Sequence, residues 1–251
     1  MVKEQMERLR DSGLLAHTDR LYISCIVKDK EEEGKLRQIV GDGQIEFVSV
    51  LNDGAAFEFP ALDYMYDKSR GEDFVFYYFH TKGISYHSIN TSNTQFMGFR
   101  AKIEAWRKMM EHFLMDEWQV ATNVLEDGYD TYGCYLFPPF VKSMYAGNFW
   151  WARADYFRTL PKLTQEDKRR NRFLAEEWLL SGKMVKAFSA FDTVADLYDV
   201  RIDCRQYEDG KHSTWQSLRF FLVYTMRKYQ KKWFHYSYKH HCQKLFQKIA
   251  H

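Results

Sequence analysis

Three apolar runs punctuate the first eighty residues. LYISCIV (21–27), IEFVSVL (45–51) and DFVFYYF (73–79) are continuous, rich in β-branched and aromatic residues, and too short for helices. Each reads as a buried strand. Polar, charged stretches lie between them. Residues 2–12 suit a short charged helix, KDKEEEGKLRQIV (28–40) contains another, and Pro60 opens a third over 60–69, since proline fits a first helical turn. A strand–helix–strand–helix–strand order predicts a parallel sheet, in which ligands bind beyond the carboxyl ends of the strands. Lys28-Asp29, Asn52-Asp53 and His80-Thr81-Lys82-Gly83 occupy those ends. Asp53 is the candidate for a nucleotide base or ribose, and Lys82 for phosphate.

The pattern then changes period. Phe96, Phe99, Ile103, Trp106, Met110 and Phe113 step by three and four, which predicts a helix over 94–118 with a core-facing stripe. A helical continuation over 119–128 ends at Gly128. TYGCYLF (131–137) reads as a strand closed by Pro138-Pro139. ARADYFRTL (152–160) reads as a helix or turn stopped by Pro161, and QEDKRRNR (165–172) as a solvated loop. NRFLAEEWLL (171–180) suits a helix carrying Glu176 and Glu177. RQYEDGKHS (205–213) is the expected hinge, dividing a domain of residues 1–210 from a helical tail of residues 211–251.

Charge changes the picture at that tail. Net charge is +2, yet residues 215–251 hold eight Lys or Arg, no Asp or Glu, and ten aromatics. The remaining 28 basic and 34 acidic residues give a body of net −6. An acidic body with a basic, aromatic tail suggests an anionic partner. The tail fits an anionic membrane surface, or a helical cap with a basic outer face. Nucleic acid is not an expected partner, because no recognised binding module is present. His235, His240 and His241 are interspersed with lysines, which favours a basic surface over a metal site. Cys25, Cys134, Cys204 and Cys242 form no CxxC pair, which fits a reducing compartment without structural zinc. No long apolar run suggests a signal peptide or a spanning helix. The expected location is cytoplasmic, including the inner face of the membrane. Dinucleotide, P-loop and GxSxG signatures are absent.

MYAGNFWWARADY (144–156) and NRFLAEEWLL (171–180) carry the densest candidate chemistry. Gly147 permits close backbone approach. Asn148 donates and accepts hydrogen bonds. Trp150 and Trp151 offer apolar faces, one for the core and one as a sugar platform, and Arg153 offers a fork of donors. This mix suits a polyhydroxylated ligand. YYFHTKGIS (77–85), AGNFWWARADYF (146–157) and AEEWL (175–179), in this order, resemble a group of bacterial glycosyltransferases found with capsule and lipopolysaccharide genes. The resemblance spans roughly residues 20–200. It implies an α/β fold of GT-A type, with a Rossmann-like, mostly parallel central sheet flanked by helices, here followed by the basic aromatic extension. It also implies a nucleotide-sugar donor and a saccharide or lipid-linked acceptor.

Enzymes of GT-A type commonly hold Mn²⁺ or Mg²⁺ through an Asp-X-Asp motif, and this chain has none. Two arrangements then compete. Lys82 and Arg153 supply positive charge to the phosphates, or His80 binds a metal with a distant carboxylate such as Asp130. The first is favoured, because a lysine two residues from a metal ligand repels the ion. An inverting transfer needs one carboxylate as general base. Taking Leu174 and Trp178 as the inward face puts Glu177 on its flank and turns Glu176 outward. A non-catalytic carbohydrate- or nucleotide-binding protein of the same fold is the alternative, and a membrane-surface protein acting through its tail is a third class.

Overall fold

A computed structural model describes residues 1–41, 43–87, 89–208 and 213–250. α1 (Val2–Asp11) leads through a 3-10 turn (Leu14–His17) into β1 (Leu21–Ile26), α2 (Lys30–Val40) and β2 (Ile45–Leu51). Asp29 caps α2, its carboxylate accepting from the Glu32 amide at 2.9 Å. β1 and β2 pair in parallel, as the crossover pattern predicts. After a 3-10 turn (Gly54–Ala56) come α3 (Phe59–Ser69), β3 (Val75–Tyr78) and α4 (Ile84–His87).

β3 departs from the expected parallel series. It pairs antiparallel with β7 (Trp150–Arg153), which also pairs antiparallel with β4 (Thr131–Gly133); β4 pairs in parallel with β8 (Ala187–Ser189). β5 (Leu136–Phe137) and β6 (Met144–Tyr145) form a separate hairpin between β4 and β7. Among the described residues the architecture is mixed α/β, rich in helix, with short strands in three small sheets. The GT-A-like, mostly parallel central sheet is therefore incorrect. Three apolar runs alone could not reveal that Tyr77 and Tyr78 sit opposite Trp151 and Trp150. These cross-strand aromatic pairs hold β3 to β7.

β7 divides the interior. Trp150 and Ala152 point into a core with Phe59, Leu62, Tyr78, Phe157 and Trp178. Trp151 points the other way, into a core with Trp106, Met110, Leu114 and Tyr132. α3, α7 (Ala154–Phe157) and α9 (Leu174–Glu177) serve the first layer, while α5 (Thr94–Glu111) and α6 (Trp118–Glu126) serve the second. The six stripe residues of the 94–118 region are all buried. Their helix is not continuous, because a π turn (His112–Asp116) separates α5 from α6. There the Leu114 carbonyl accepts from Trp151 Nε1 at 3.0 Å, and the Phe113 carbonyl from the Tyr132 hydroxyl at 3.3 Å. The charged segment expected as a loop contains α8 (Gln165–Arg170), because Thr164 and Asp167 form a reciprocal capping box.

α1 is fastened to α5 and to the π turn by charge. Arg8 forks onto Asp116, which also pairs with His112 at 3.1 Å, and Arg107 pairs with Glu111 at 2.7 Å and Glu4 at 2.9 Å. Burial alone would raise the Asp116 pKa, but the hydrogen bonds from Arg8 and His112 outweigh it and hold the carboxyl at about 2. A depressed folded-state pKa stabilises above the unfolded value and is lost as pH falls through the folded one. Asp116→Asn is expected to cost about 1–2 kcal/mol near pH 7, discounted for partial exposure. Urea titrations should show the difference between wild type and variant vanishing between about pH 4 and about 2; a difference that persists below this window would refute the linkage.

The tail forms two helices, α10 (Thr214–Phe234) and α11 (Tyr238–Ala250). α11 docks on α5, with buried Cys242 packed against Phe99 and Ile103. α10 buries Phe220 and sets Arg227 Nε 3.4 Å from Asp199. The expected domain boundary at 210/211 and residues 209–212 of the expected hinge lie outside the described residues. Among the described residues no helix is long and apolar enough to cross a membrane.

Candidate functional site

Chain geometry brings the three motif segments together. Beyond β3 the backbone turns tightly, with the Lys82 amide donating to the His80 carbonyl at 2.9 Å. Gly83 follows at φ +79, where a Cβ would lie 2.5 Å from Ile103 Cγ2. Before β7 the chain reverses at Tyr145–Asn148, the Asn148 amide donating to the Tyr145 carbonyl at 3.0 Å. Gly147 occupies the third turn position at φ +85, and a Cβ there would sit 2.3 Å from Met110 Sδ. The Gly147 carbonyl is 2.9 Å from His80 Nε2, so the first two segments touch. Gln5 of α1 supports the same place by donating to the His80 carbonyl at 3.1 Å.

Asn148 joins the third segment. Its Nδ2 donates to the Ala175 carbonyl at 3.2 Å and to Glu58 Oε2, while its Oδ1 accepts from Trp150 Nε1 at 2.8 Å. These three bonds fix the amide orientation. Glu58, at the start of α3, also approaches His80 Nδ1 at 3.7 Å. The Lys82 ammonium lies 4.5 Å from the centre of the Trp106 ring. Desolvation lowers its pKa, opposed by Glu176 and then Glu58. Burial, Glu58 and Glu176 all push the Tyr78 phenol upward. Glu58, His80, Thr81, Lys82 and Glu176 are each partly exposed, so this cluster of opposed charges meets solvent.

Several expected roles change. Trp150 and Trp151 are 1% and 4% exposed, so neither offers a sugar platform; successive residues of β7 face opposite cores. Gly147 and Asn148 are buried, and the polar atoms of the Asn148 side chain are already bonded, so they position the site instead of touching a sugar. Arg153 pairs with Val75 in the β3–β7 register, at the opposite end of β3 from His80. It bonds Asp155 at 2.6 Å and lies 4.0 Å from Asp130, so it forms no phosphate clamp with Lys82. Asp130 is held at that same remote end, accepting from the Lys186 amide at 2.9 Å, so it cannot share a metal with His80. Asp53 is exposed and caps its own turn, accepting from the Ala55 amide at 2.8 Å.

The two glutamates exchange places. Trp178 is buried as expected, but it is joined by Ala175 and Leu179, while Leu174 is only partly buried. α9 is four residues long and tightens into a 3-10 turn (Trp178–Leu180), which rotates the face. Glu176 is consequently half-buried and acts on Lys82 and Tyr78, whereas Glu177 is exposed. Glu58 was not among the expected site residues. Its one sequence signal is an acidic residue ahead of Phe59-Pro60, which a helix start explains equally well.

Among the described residues no group of three or more His, Cys, Asp or Glu is placed to hold a metal ion. In the cluster, His80 and Glu58 stand side by side, and both already bond within the protein, to Gly147 and Asn148. Among the described residues, open clefts lie beside Arg8 and Asp116 and between α10 and the β5–β6 hairpin. The first is lined by the ion-paired residues of α1 and Asp116, and neither includes the three motif segments.

No curated protein and no solved structure matches the chain. A family model described as a domain of unknown function, DUF8361, matches residues 1–195, which include every residue of the His80–Asn148–Glu176 cluster and exclude α10 and α11, and the chain belongs to that family.

Proposed function

We propose that this protein is a glycosyltransferase, moving a sugar from a nucleotide-sugar donor to a saccharide or lipid-linked acceptor in surface-polysaccharide synthesis. The observation that supports this reading is convergence. The HTKG, GNFWWA and AEEW segments, distant in sequence, meet through His80, Gly147, Asn148 and Ala175. Around that meeting point stand one cation and two carboxylates with complementary uses.

In this reading Lys82 receives the donor diphosphate. A desolvated ammonium gains more from an arriving anion than a solvated one does. Glu58 and His80 orient sugar hydroxyls. Glu176 takes the proton as the acceptor O–H bond breaks. The acceptor oxygen bonds the sugar carbon, and that carbon's bond to the diphosphate breaks, its electron pair leaving with the nucleoside diphosphate. Asn148 holds Glu58 and α9 in register and touches no reacting atom.

The test is release of nucleoside diphosphate from a panel of nucleotide sugars, with and without Mn²⁺, alongside nucleotide-induced thermal shifts. The expected result is a shift with at least one nucleoside diphosphate and turnover of the matching sugar donor. Shifts without turnover across donors and acceptors would favour a non-catalytic carbohydrate- or nucleotide-binding protein. Neither shift nor turnover would remove both readings.

A further inference from the structure

α10 leaves an apolar stripe uncovered. Trp215, Leu218, Leu222, Met226, Tyr229 and Trp233 step by three, four, four, three and four. At 100° per residue they stay within one narrow face, about 27 Å long. All six are exposed, Trp215 at 75%, Leu222 at 57% and Trp233 at 68%. The helix meets the body through a different face, which carries buried Phe220 and partly buried Val223 and Arg227. The stripe is therefore not the docking face of the cap, a role that α11 fills through Cys242, Tyr238 and Phe246.

We infer that α10 is an interfacial helix that lies on an anionic phospholipid bilayer, with the Trp215–Trp233 stripe inserted among the acyl chains. Charge selects this occupant. Residues 214–250 contain eight Lys or Arg and no Asp or Glu. Arg219 and Lys232 flank the stripe on opposite sides, about 60° and 80° from its centre. An apolar face bordered by cations matches a surface of negative headgroups above hydrocarbon. Tryptophans at both ends suit the boundary between headgroup and chain, where an apolar ring and a polar N–H are both accommodated. A second copy is disfavoured as occupant, because apposing two such helices brings cations together with no acidic residue on either helix to offset them. The inference does not depend on the transferase reading, since it uses no residue of the His80–Glu176 cluster.

The experiment is flotation of the full chain with vesicles of phosphatidylcholine alone or of equal phosphatidylcholine and phosphatidylglycerol, at low and high salt. Binding is expected with anionic vesicles only, and high salt should weaken it. L222S combined with Y229S removes apolar contact at exposed positions and should abolish flotation without altering the melting temperature. R219Q combined with K232Q should lower partitioning roughly 30-fold, from about fivefold for each charge. Absence of flotation, equal flotation with neutral vesicles, or unchanged flotation of the stripe variant would each overturn the proposal. A concentration-dependent dimer that the stripe variant abolishes, with no flotation of the wild type, would assign the stripe to a second copy instead.

Discussion

Asn148→Ala is expected to lower global stability by about 3–5 kcal/mol, the largest loss from any single polar residue in the site. The side chain is 1% exposed and links three elements. Removing it strands the Trp150 indole N–H in the core, takes a donor from the Ala175 carbonyl, and takes one from the Glu58 carboxylate. A buried group left without its partner costs about 1–3 kcal/mol, and hydrogen bonds to charged groups lie at the upper end of the usual range. The backbone adds to this. Asn148 sits at φ +62, a left-handed conformation that asparagine tolerates better than alanine. Asn148→Gly separates the two contributions, because glycine removes the bonds without the strain. Urea denaturation should place the glycine variant above the alanine variant by about 1 kcal/mol and both well below wild type. A loss under about 1 kcal/mol for Asn148→Ala would mean that the amide is not holding these elements together.

Glu176→Gln is expected to reduce sugar transfer by about 10²-fold or more while leaving donor binding intact, the usual scale for losing a positioned general base. Glu177→Gln should change little. The basis is orientation: Glu176 is half-buried and acts on Lys82 and Tyr78, while Glu177 faces solvent. A second readout does not require turnover. Glu176 raises the Lys82 pKa against desolvation, so Glu176→Gln should lower that pKa further, measurable by the pH dependence of lysine labelling at residue 82. Loss of transfer in Glu177→Gln with activity kept in Glu176→Gln would reverse the assignment. Activity in both variants, with an unshifted lysine, would remove Glu176 from the chemistry and from the electrostatics of the site.

Other consequences of the fold bear on how such a site is kept in shape. Gly147 and Gly83 stand where backbone approaches α5, at Met110 and Ile103. The motif glycines thus answer to packing around the site, and the tryptophans of GNFWWA answer to the two cores. The groups left facing solvent are the charged ones. This division leaves the tryptophans of GNFWWA as scaffolding, whereas the HTKG and AEEW segments present partly exposed polar and charged side chains.

The sequence by itself determined the local elements. Continuous β-branched and aromatic runs produced β1, β2 and β3, and the 3.6-residue stripe produced α5, because these signals act over neighbouring residues. It also determined the charge asymmetry of the tail, which composition alone shows, whereas the face of α10 left uncovered was decided by the packing of Phe220 and Val223 on the body. Only the tertiary structure decided which strands pair. An apolar run is compatible with either neighbour, and Tyr77 and Tyr78 chose Trp151 and Trp150, far along the chain. The same holds for the site. Leu174 and Trp178 defined a plausible helix face, but a 3-10 tightening after four residues turned Glu176 inward. Glu58 reached His80 and Asn148 from a remote helix start that no motif marks. Arg153 moved away because antiparallel pairing reverses the direction of β7, sending its end toward Asp130 and Asp155. Periodicity fixes what a residue does relative to its own helix or strand; the partners across space follow from packing, which no local pattern encodes.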